Sequence, residues 1–128
     1  MLGETDAVAN VAVKDLDRAR TFYKDTLGLT PISEQDGEVI VFKSGSSSLN
    51  VYRSQYAGTN KATAVTWTVD DVGDTVRKLK AKGIVFEHYD LPGTTLRGDI
   101  HVAGNLQVAW FKDPDGNILN VVNQTSMT

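Results

Sequence analysis

The chain has no cysteine among its 128 residues. Disulfides, zinc–thiolate centres and thiol nucleophiles are excluded at once. It has only two histidines, His88 and His101, so imidazole chemistry has two places to act. No apolar run approaches the ~20 residues needed to span a bilayer. The first residues, Met1 to Asp6, carry neither the basic nor the apolar stretch of a secretory signal. A cytoplasmic location and no membrane partner are therefore expected. The chain also lacks a basic run that could neutralise phosphates, and its net charge is -3, which argues against nucleic acid as a partner. Ser44, Ser46, Ser47 and Ser48 form a turn cluster with no histidine nearby in sequence. There is no phosphate-cradling glycine motif.

What is present is an ordinary soluble composition, 41% hydrophobic and 23% charged. A chain of this length makes one domain, or two half-domains around a shared core, and buries roughly two-thirds of its unfolded surface. Its leading feature is an internal repeat. Val13-Lys14-Asp15-Leu16 recurs 56 residues later as Val69-Asp70-Asp71-Val72, Phe42-Lys43 recurs as Phe111-Lys112, and Leu49-Asn50-Val51 recurs as Leu119-Asn120-Val121. A duplicated unit is expected to form a cavity between its copies.

Each copy reads as βαβββ. Ala7–Val13 is a short β-branched run with alternating faces. Asp15 then suits a helix N-cap, and the helix should run from about Leu16 to Leu27 on a stripe of Leu16, Ala19, Phe22, Tyr23 and Leu27. Gly28 suits its C-terminal stop. Strands are expected at Thr30–Ser33, Glu38–Lys43 and Ser48–Arg53, with Asp36-Gly37 as a hairpin turn. The polar stretch Ser54–Lys61 is the expected linker, which places the modules at about 7–53 and 64–123 of a single 1–128 domain. The second copy repeats the plan. Ala64–Val69 is a strand, Asp71 an N-cap with Asp74 completing a capping box, and a helix carries Val72, Val76 and Leu79 as far as Gly83. Strands follow at Ile84–Tyr89, Gln107–Lys112 and Ile118–Asn123. Asp113-Pro114-Asp115-Gly116-Asn117 is a strong turn signal. The copies differ in length: Asp15 to Phe42 is 27 residues, whereas Asp71 to Phe111 is 40. The excess lies in Asp90–Asn105, which holds His101. Such an insertion is either a functional loop or slack surface chain.

The stretch Val-Lys-Asp-Leu-Asp-Arg-Ala-Arg-Thr-Phe-Tyr-Lys-Asp-Thr-Leu-Gly-Leu, from Val13 to Leu29, carries a family pattern. So do Val69-Asp70-Asp71-Val72 and Phe111-Lys112-Asp113-Pro114-Asp115-Gly116-Asn117. Together they resemble the vicinal oxygen chelate superfamily, which includes glyoxalase I, bleomycin-resistance proteins and extradiol dioxygenases. The resemblance implies an α+β fold in which two tandem βαβββ modules form a cupped eight-stranded sheet with helices outside. It also implies a homodimer with binding grooves at the interface, often with halves exchanged between chains. Metal-dependent members place His and Glu ligands on the inner strand faces. The matching positions here are Val8, seven residues before Asp15, its repeat partner Ala64, and Asn50 and Asn120. Valine and alanine have no donor atom, and asparagine offers only a neutral carbonyl, a weak ligand for a divalent ion. The Lewis-acid mechanism of the family is not expected, and no cofactor is.

By strand parity the inner faces should instead show Val8, Asn10, Ala12, Val41, Asn50, Tyr52, Ala64, Thr66, Thr68, Val108, Trp110 and Asn120. An apolar and aromatic lining with neutral polar groups suits an organic ligand. Asn10, Asn50, Tyr52, Thr66, Thr68, Trp110, Asn120 and His101 are the candidate ligand-binding residues. Trp110 and Tyr52 could stack on a flat ring, although Trp110 is equally suited to a core or dimer contact, and the asparagines to bonding one another. His101 reads first as an ordinary loop residue and only second as a ligand contact or general base, and Trp67 reads as a core residue facing the helix. No catalytic residue is assigned. The expected function is a metal-free protein, of the bleomycin-resistance branch, that sequesters a hydrophobic or aromatic natural product such as an antibiotic. The alternative is a glyoxalase-like lyase, isomerase or dioxygenase, which would carry a stoichiometric metal; a metal-free enzyme would need His101 or Glu87 as acid or base.

Overall fold

The computed structural model describes residues 1–124. Its internal contacts divide the chain into two compact units, one made of Met1–Thr59 with Pro114–Asn117 and the other beginning at Asn60. The boundary falls inside the polar stretch Ser54–Lys61. The α+β plan of two βαβββ-like modules is observed, with two mixed sheets and two principal helices.

The first unit contains β1 (Ala9–Val13), α1 (Leu16–Thr21), β2 (Thr30–Gln35), β3 (Val39–Ser44) and β4 (Ser47–Arg53), in the sheet order β1-β4-β3-β2. Asp15 caps α1: its Oδ1 accepts from the backbone N–H groups of Asp17 at 3.0 Å and Arg18 at 3.2 Å. Asp15→Ala is expected to lower stability by about 1 kcal/mol, seen as a lower urea midpoint at unchanged slope. The helix spans the expected length but not in one geometry, because Phe22–Thr26 forms a π-helical turn. There Leu27 N–H donates to Phe22 O at 3.0 Å, and Gly28 follows at φ +80°. A wide turn is invisible to a search for 3.6-residue spacing, since the stripe Leu16, Ala19, Phe22, Tyr23 survives it and all four are buried. That stripe packs on Ile40, Phe42, Leu49 and Val51, with the Tyr23 and Phe42 rings 5.9 Å apart. At the sheet edge, β2 is fully exposed and carries Pro31 next to a register shift, a position where a missing N–H is tolerated.

The second unit contains β5 (Thr63–Thr68), α2 (Val72–Ala81), β6 (Phe86–Glu87), β7 (Thr95–Arg97), β8 (Ile100–Ala103), β9 (Leu106–Lys112) and β10 (Ile118–Val122), in the order β5-β10-β9-β8-β7, with β6 also on β9. Asp71 caps α2 through Asp74 N–H at 3.0 Å. The expected capping box takes a different form. The Asp74 carboxylate pairs with Lys78 at 3.0 Å and Arg77 at 3.5 Å, and these cations, Lys78 foremost, hold it below the ordinary carboxylate range. Val72, Val76 and Leu79 are buried, as are Phe86, Phe111, Leu119 and Val121.

Two expectations for this unit need correction. The strand expected at Ile84–Tyr89 shrinks to Phe86–Glu87, because the Ile84 N–H is spent on Leu79 O. The insertion Asp90–Asn105 is no slack loop; most of it is the β7–β8 hairpin, turned at Gly98 with φ +62°. The described residues therefore form ten strands, against the expected eight. Three- and four-residue strands have too few alternating positions to show a period, and only pairing with β9 reveals them.

The turn Asp113-Pro114-Asp115-Gly116-Asn117 does more than reverse the chain. Pro114–Asn117 groups with the first unit. Asn117 Nδ2 donates to Ala12 O at 2.7 Å, the Lys14 N–H donates to Asp115 Oδ1 at 3.2 Å, and Arg18 pairs with the same carboxylate at 3.3 Å. Gly58, at φ +74°, lies so close that a Cβ built there would fall against the Asp115 carbonyl oxygen.

Candidate functional site

Alternation along each strand gives every sheet a helix-packed face and an opposite face. In the first unit the opposite face is set by register: Asn10 pairs with Asn50, Ala12 with Tyr52, and Val41 with Asn50. Asn50 Nδ2 donates to Asn10 Oδ1 at 3.3 Å, and Asn10 Nδ2 donates to Val8 O at the same distance. The asparagines thus use part of their capacity on one another. Tyr52 is half-buried on this face, while Val8 lies ahead of β1 and is exposed.

The second unit repeats the arrangement with different chemistry. Asn120 pairs with Thr66 on one side and Trp110 on the other, and Glu87 lies across from Trp110. One step along, Val122 pairs with Thr68 and with Val108, and Val108 pairs with His101. Trp110 therefore stands where the first unit has Val41. Its ring meets His101 edge-on at 4.9 Å and Tyr89 at 5.3 Å, and its Nε1–H donates to Thr63 Oγ1 at 3.1 Å. Thr66 and Thr68 are exposed, Trp110 is half-buried, and Asn120 and His101 are 7% and 2% exposed.

His101 is consequently a buried strand residue, not a loop residue. Its Nε2 faces Tyr89, accepting from the backbone N–H at 3.0 Å and lying 3.1 Å from the carbonyl oxygen. Three buried polar atoms of this face have no hydrogen-bond partner among the described residues: His101 Nδ1, Tyr89 Oη and Asn120 Oδ1. Such atoms are rare in folded proteins and call for a partner from outside the chain, an ordered water or a ligand. Burial, reinforced by the Glu87 carboxylate, raises the Tyr89 phenol above its ordinary value, so it stays protonated at neutral pH.

Beside this cluster a cleft of about 400 Å³ is lined by His88, Tyr89, Asp90, Leu91, Thr94 and Leu96. Behind it Asp99 accepts from Lys80 at 2.8 Å and contacts His88 Nε2 at 2.8 Å. Lys80, then His88, lower the Asp99 carboxyl below its ordinary value. A carboxylate depressed in the folded state stabilises above its unfolded value, and that contribution disappears as pH falls through the folded one. Asp99→Asn is therefore expected to be less stable than the parent near neutral pH. Urea midpoints should show the gap closing as pH drops below the ordinary carboxylate range.

A family model described as Glyoxalase/Bleomycin resistance protein/Dioxygenase superfamily matches residues 6–121. The chain belongs to this superfamily. Among solved structures, it is similar to a lactoylglutathione lyase from Agrobacterium tumefaciens, at 20% identity, with 92% of each chain covered and a TM-score of 0.68. It is similar at 21% identity to an antibiotic binding protein from Streptomyces sp. CB03234, with 93% of each chain covered and a TM-score of 0.64. A bleomycin resistance determinant encoded on the transposon Tn5 matches at 20% identity, over 94% of this chain and 98% of that one, with a TM-score of 0.68. No curated protein sequence matches significantly. At these identities the structures share the fold.

The metal positions that the resemblance implies are Val8, Asn50, Ala64 and Asn120. These residues do not fit a divalent cation. Two are hydrocarbon, and Asn50 already points its amide nitrogen at Asn10. Among the described residues no three His, Asp or Glu side chains are grouped to hold an ion.

Of the candidate residues, the fold brings Trp110, Asn120, Thr66, Thr68 and His101 to one face of the second sheet, and Asn10, Asn50 and Tyr52 to one face of the first. Tyr89 went unselected from sequence. Its signal was its place at the end of the expected strand Ile84–Tyr89, two residues from Glu87 on the same parity; β6 itself ends at Glu87, and Tyr89 reaches the site through its ring contacts with His101 and Trp110. Among the described residues no helix is long and apolar enough to cross a membrane.

Proposed function

We propose that this protein is a metal-free small-molecule binder that sequesters a hydrophobic or aromatic natural product, an antibiotic among them. The observation that carries this reading is the Trp110 face. A half-buried indole, flanked by Tyr89 and His101, stands across from Asn120, which occupies a position where the resemblance implies a charged donor in metal-dependent relatives. Such a surface gains from stacking a flat ring and from burying it. The antibiotic-binding and bleomycin-resistance proteins of the same fold lend it support. The reading takes both units as one ligand-binding domain of a cytoplasmic homodimer with grooves at the subunit interface, and sedimentation tests the dimer.

The test is a titration of the purified protein with polycyclic and glycopeptide drugs, following tryptophan fluorescence, with drug resistance of an expressing host scored in parallel. Saturable quenching by at least one drug is expected. No quenching by any drug, with no gain in resistance, defeats the reading. A glyoxalase-like enzyme is the second reading, favoured by one observation: a buried imidazole with one ring nitrogen unpartnered is a group able to move a proton. Elemental analysis of protein purified without chelator separates its metal-dependent form, since stoichiometric Ni, Zn, Fe or Mn would overturn the metal-free assignment.

A further inference from the structure

The polar groups around Trp110 restrict what kind of flat molecule the second unit can hold. The Tyr89 backbone N–H always carries its hydrogen and points at His101 Nε2 from 3.0 Å. Nε2 also lies 3.1 Å from the Tyr89 carbonyl oxygen, and the backbone hydrogen, which cannot leave, separates the two roles: a second hydrogen on Nε2 would crowd it, so we take Nε2 as the acceptor and place the ring proton on Nδ1. The groups facing the imidazole are the rings of Tyr89, Trp110 and His88. Nδ1–H is thus a fixed donor, buried and without a partner among the described residues. A buried N–H in that condition is costly to the fold and rewards any acceptor that reaches it.

Asn120 provides the complementary group. Its Oδ1 is also buried and unpartnered. Asn120 lies on β10 and His101 on β8, with β9 between them. Two strand spacings and a two-residue offset along the strands separate them by about 12 Å, near the reach of a two- or three-ring aromatic frame with its substituents lying across β9. Tyr89 separates His101 from the open cleft, because its ring leans on both His101 and Trp110 and also lines the cleft.

We propose that the second unit binds an uncharged, flat, oxygen-bearing aromatic molecule: it enters through the cleft by displacing the Tyr89 ring, places a carbonyl-type oxygen on His101 Nδ1–H, and lies over Trp110 toward Asn120. This rests on the reading of the protein as a small-molecule binder and adds the ligand's chemical class. An apolar ring of the same size would leave the His101 donor unanswered. A cation would meet a donor where it needs an acceptor.

The test uses two probes of matched frame, coumarin with its lactone oxygens and naphthalene without them, titrated into the whole protein and followed by protein NMR. Coumarin is expected to bind at least about tenfold tighter, the discrimination of roughly one buried hydrogen bond. His101→Phe should bring that ratio close to one. In the unsubstituted protein the imidazole ¹⁵N shifts should place the proton on Nδ1, and the Nδ1 resonance should move on coumarin saturation. Equal affinities for the two probes, or a proton found on Nε2, would overturn the proposal. Should His101→Phe fail to fold, the ring resonances of the unsubstituted protein decide. Silence from both probes while the drug panel responds overturns this inference alone; silence from the panel as well overturns the reading beneath it.

Discussion

Trp110→Ala is expected to weaken ligand binding by about a hundredfold. Losing a stacked aromatic pair costs about 0.5–1.5 kcal/mol beyond burial, and losing the apolar contact area adds about 1.5–3 kcal/mol. The sum centres near 3 kcal/mol, and each 1.4 kcal/mol is tenfold in affinity. Because the chain has two tryptophans, Trp67 fluorescence remains in the variant, so calorimetry against whichever drug binds the parent is the better measurement. Trp110→Phe should recover most of the affinity, since it restores a ring at the same strand position. A parental melting curve for the phenylalanine variant separates lost stacking from a damaged sheet. Unchanged affinity in Trp110→Ala would move the binding surface elsewhere.

Gly58→Ala is expected to destabilise the protein by about 3 kcal/mol, the largest effect on folding that a single methyl group should produce here. Two causes act together. At φ +74° an L-residue pays a left-handed penalty of about 1–2 kcal/mol, and the new Cβ meets the Asp115 carbonyl oxygen, so backbone must shift at a further cost of about 1–3 kcal/mol. Gly37→Ala is the internal control. Gly37 sits at φ +66°, yet a Cβ there meets nothing within 4 Å. It should show only the conformational penalty, about 1 kcal/mol, and the difference in urea midpoint between the variants isolates the collision. Equal midpoints would mean that the 114–117 turn yields without cost.

The repeat, the aspartate caps and the glycine stops made most of the architecture legible before any coordinates, because each rests on a local rule. Asp15 and Asp71 satisfy orphan N–H groups within three residues, and strand parity places Asn50, Trp110 and Asn120 whatever the tertiary surroundings. What escaped depends on partners distant in sequence. β7 and β8 are too short to show a period and exist through their pairing with each other and β9. The π-turn keeps the buried stripe while changing the hydrogen bonding. The burial of His101 and its contact with Tyr89 follow from that same hairpin, so the part of the candidate site nearest the insertion depended on a pairing that the sequence did not display. Asp113–Asn117 was read correctly as a turn, but nothing local indicated that Asp115 and Asn117 hold the backbone of Ala12 and Lys14.

That last feature bears on biosynthesis. The first unit has its strands and helix in hand once Arg53 has been made, yet the groups that satisfy Ala12 O and Lys14 N–H arrive with residues 115 and 117. A nascent chain stalled before that point should carry a first half that is assembled but open at one end, and it should stay sensitive to protease until residues 115–117 have emerged. The duplicated halves are therefore not two beads folded in succession: completion of the earlier one waits on a turn that is made within the later one.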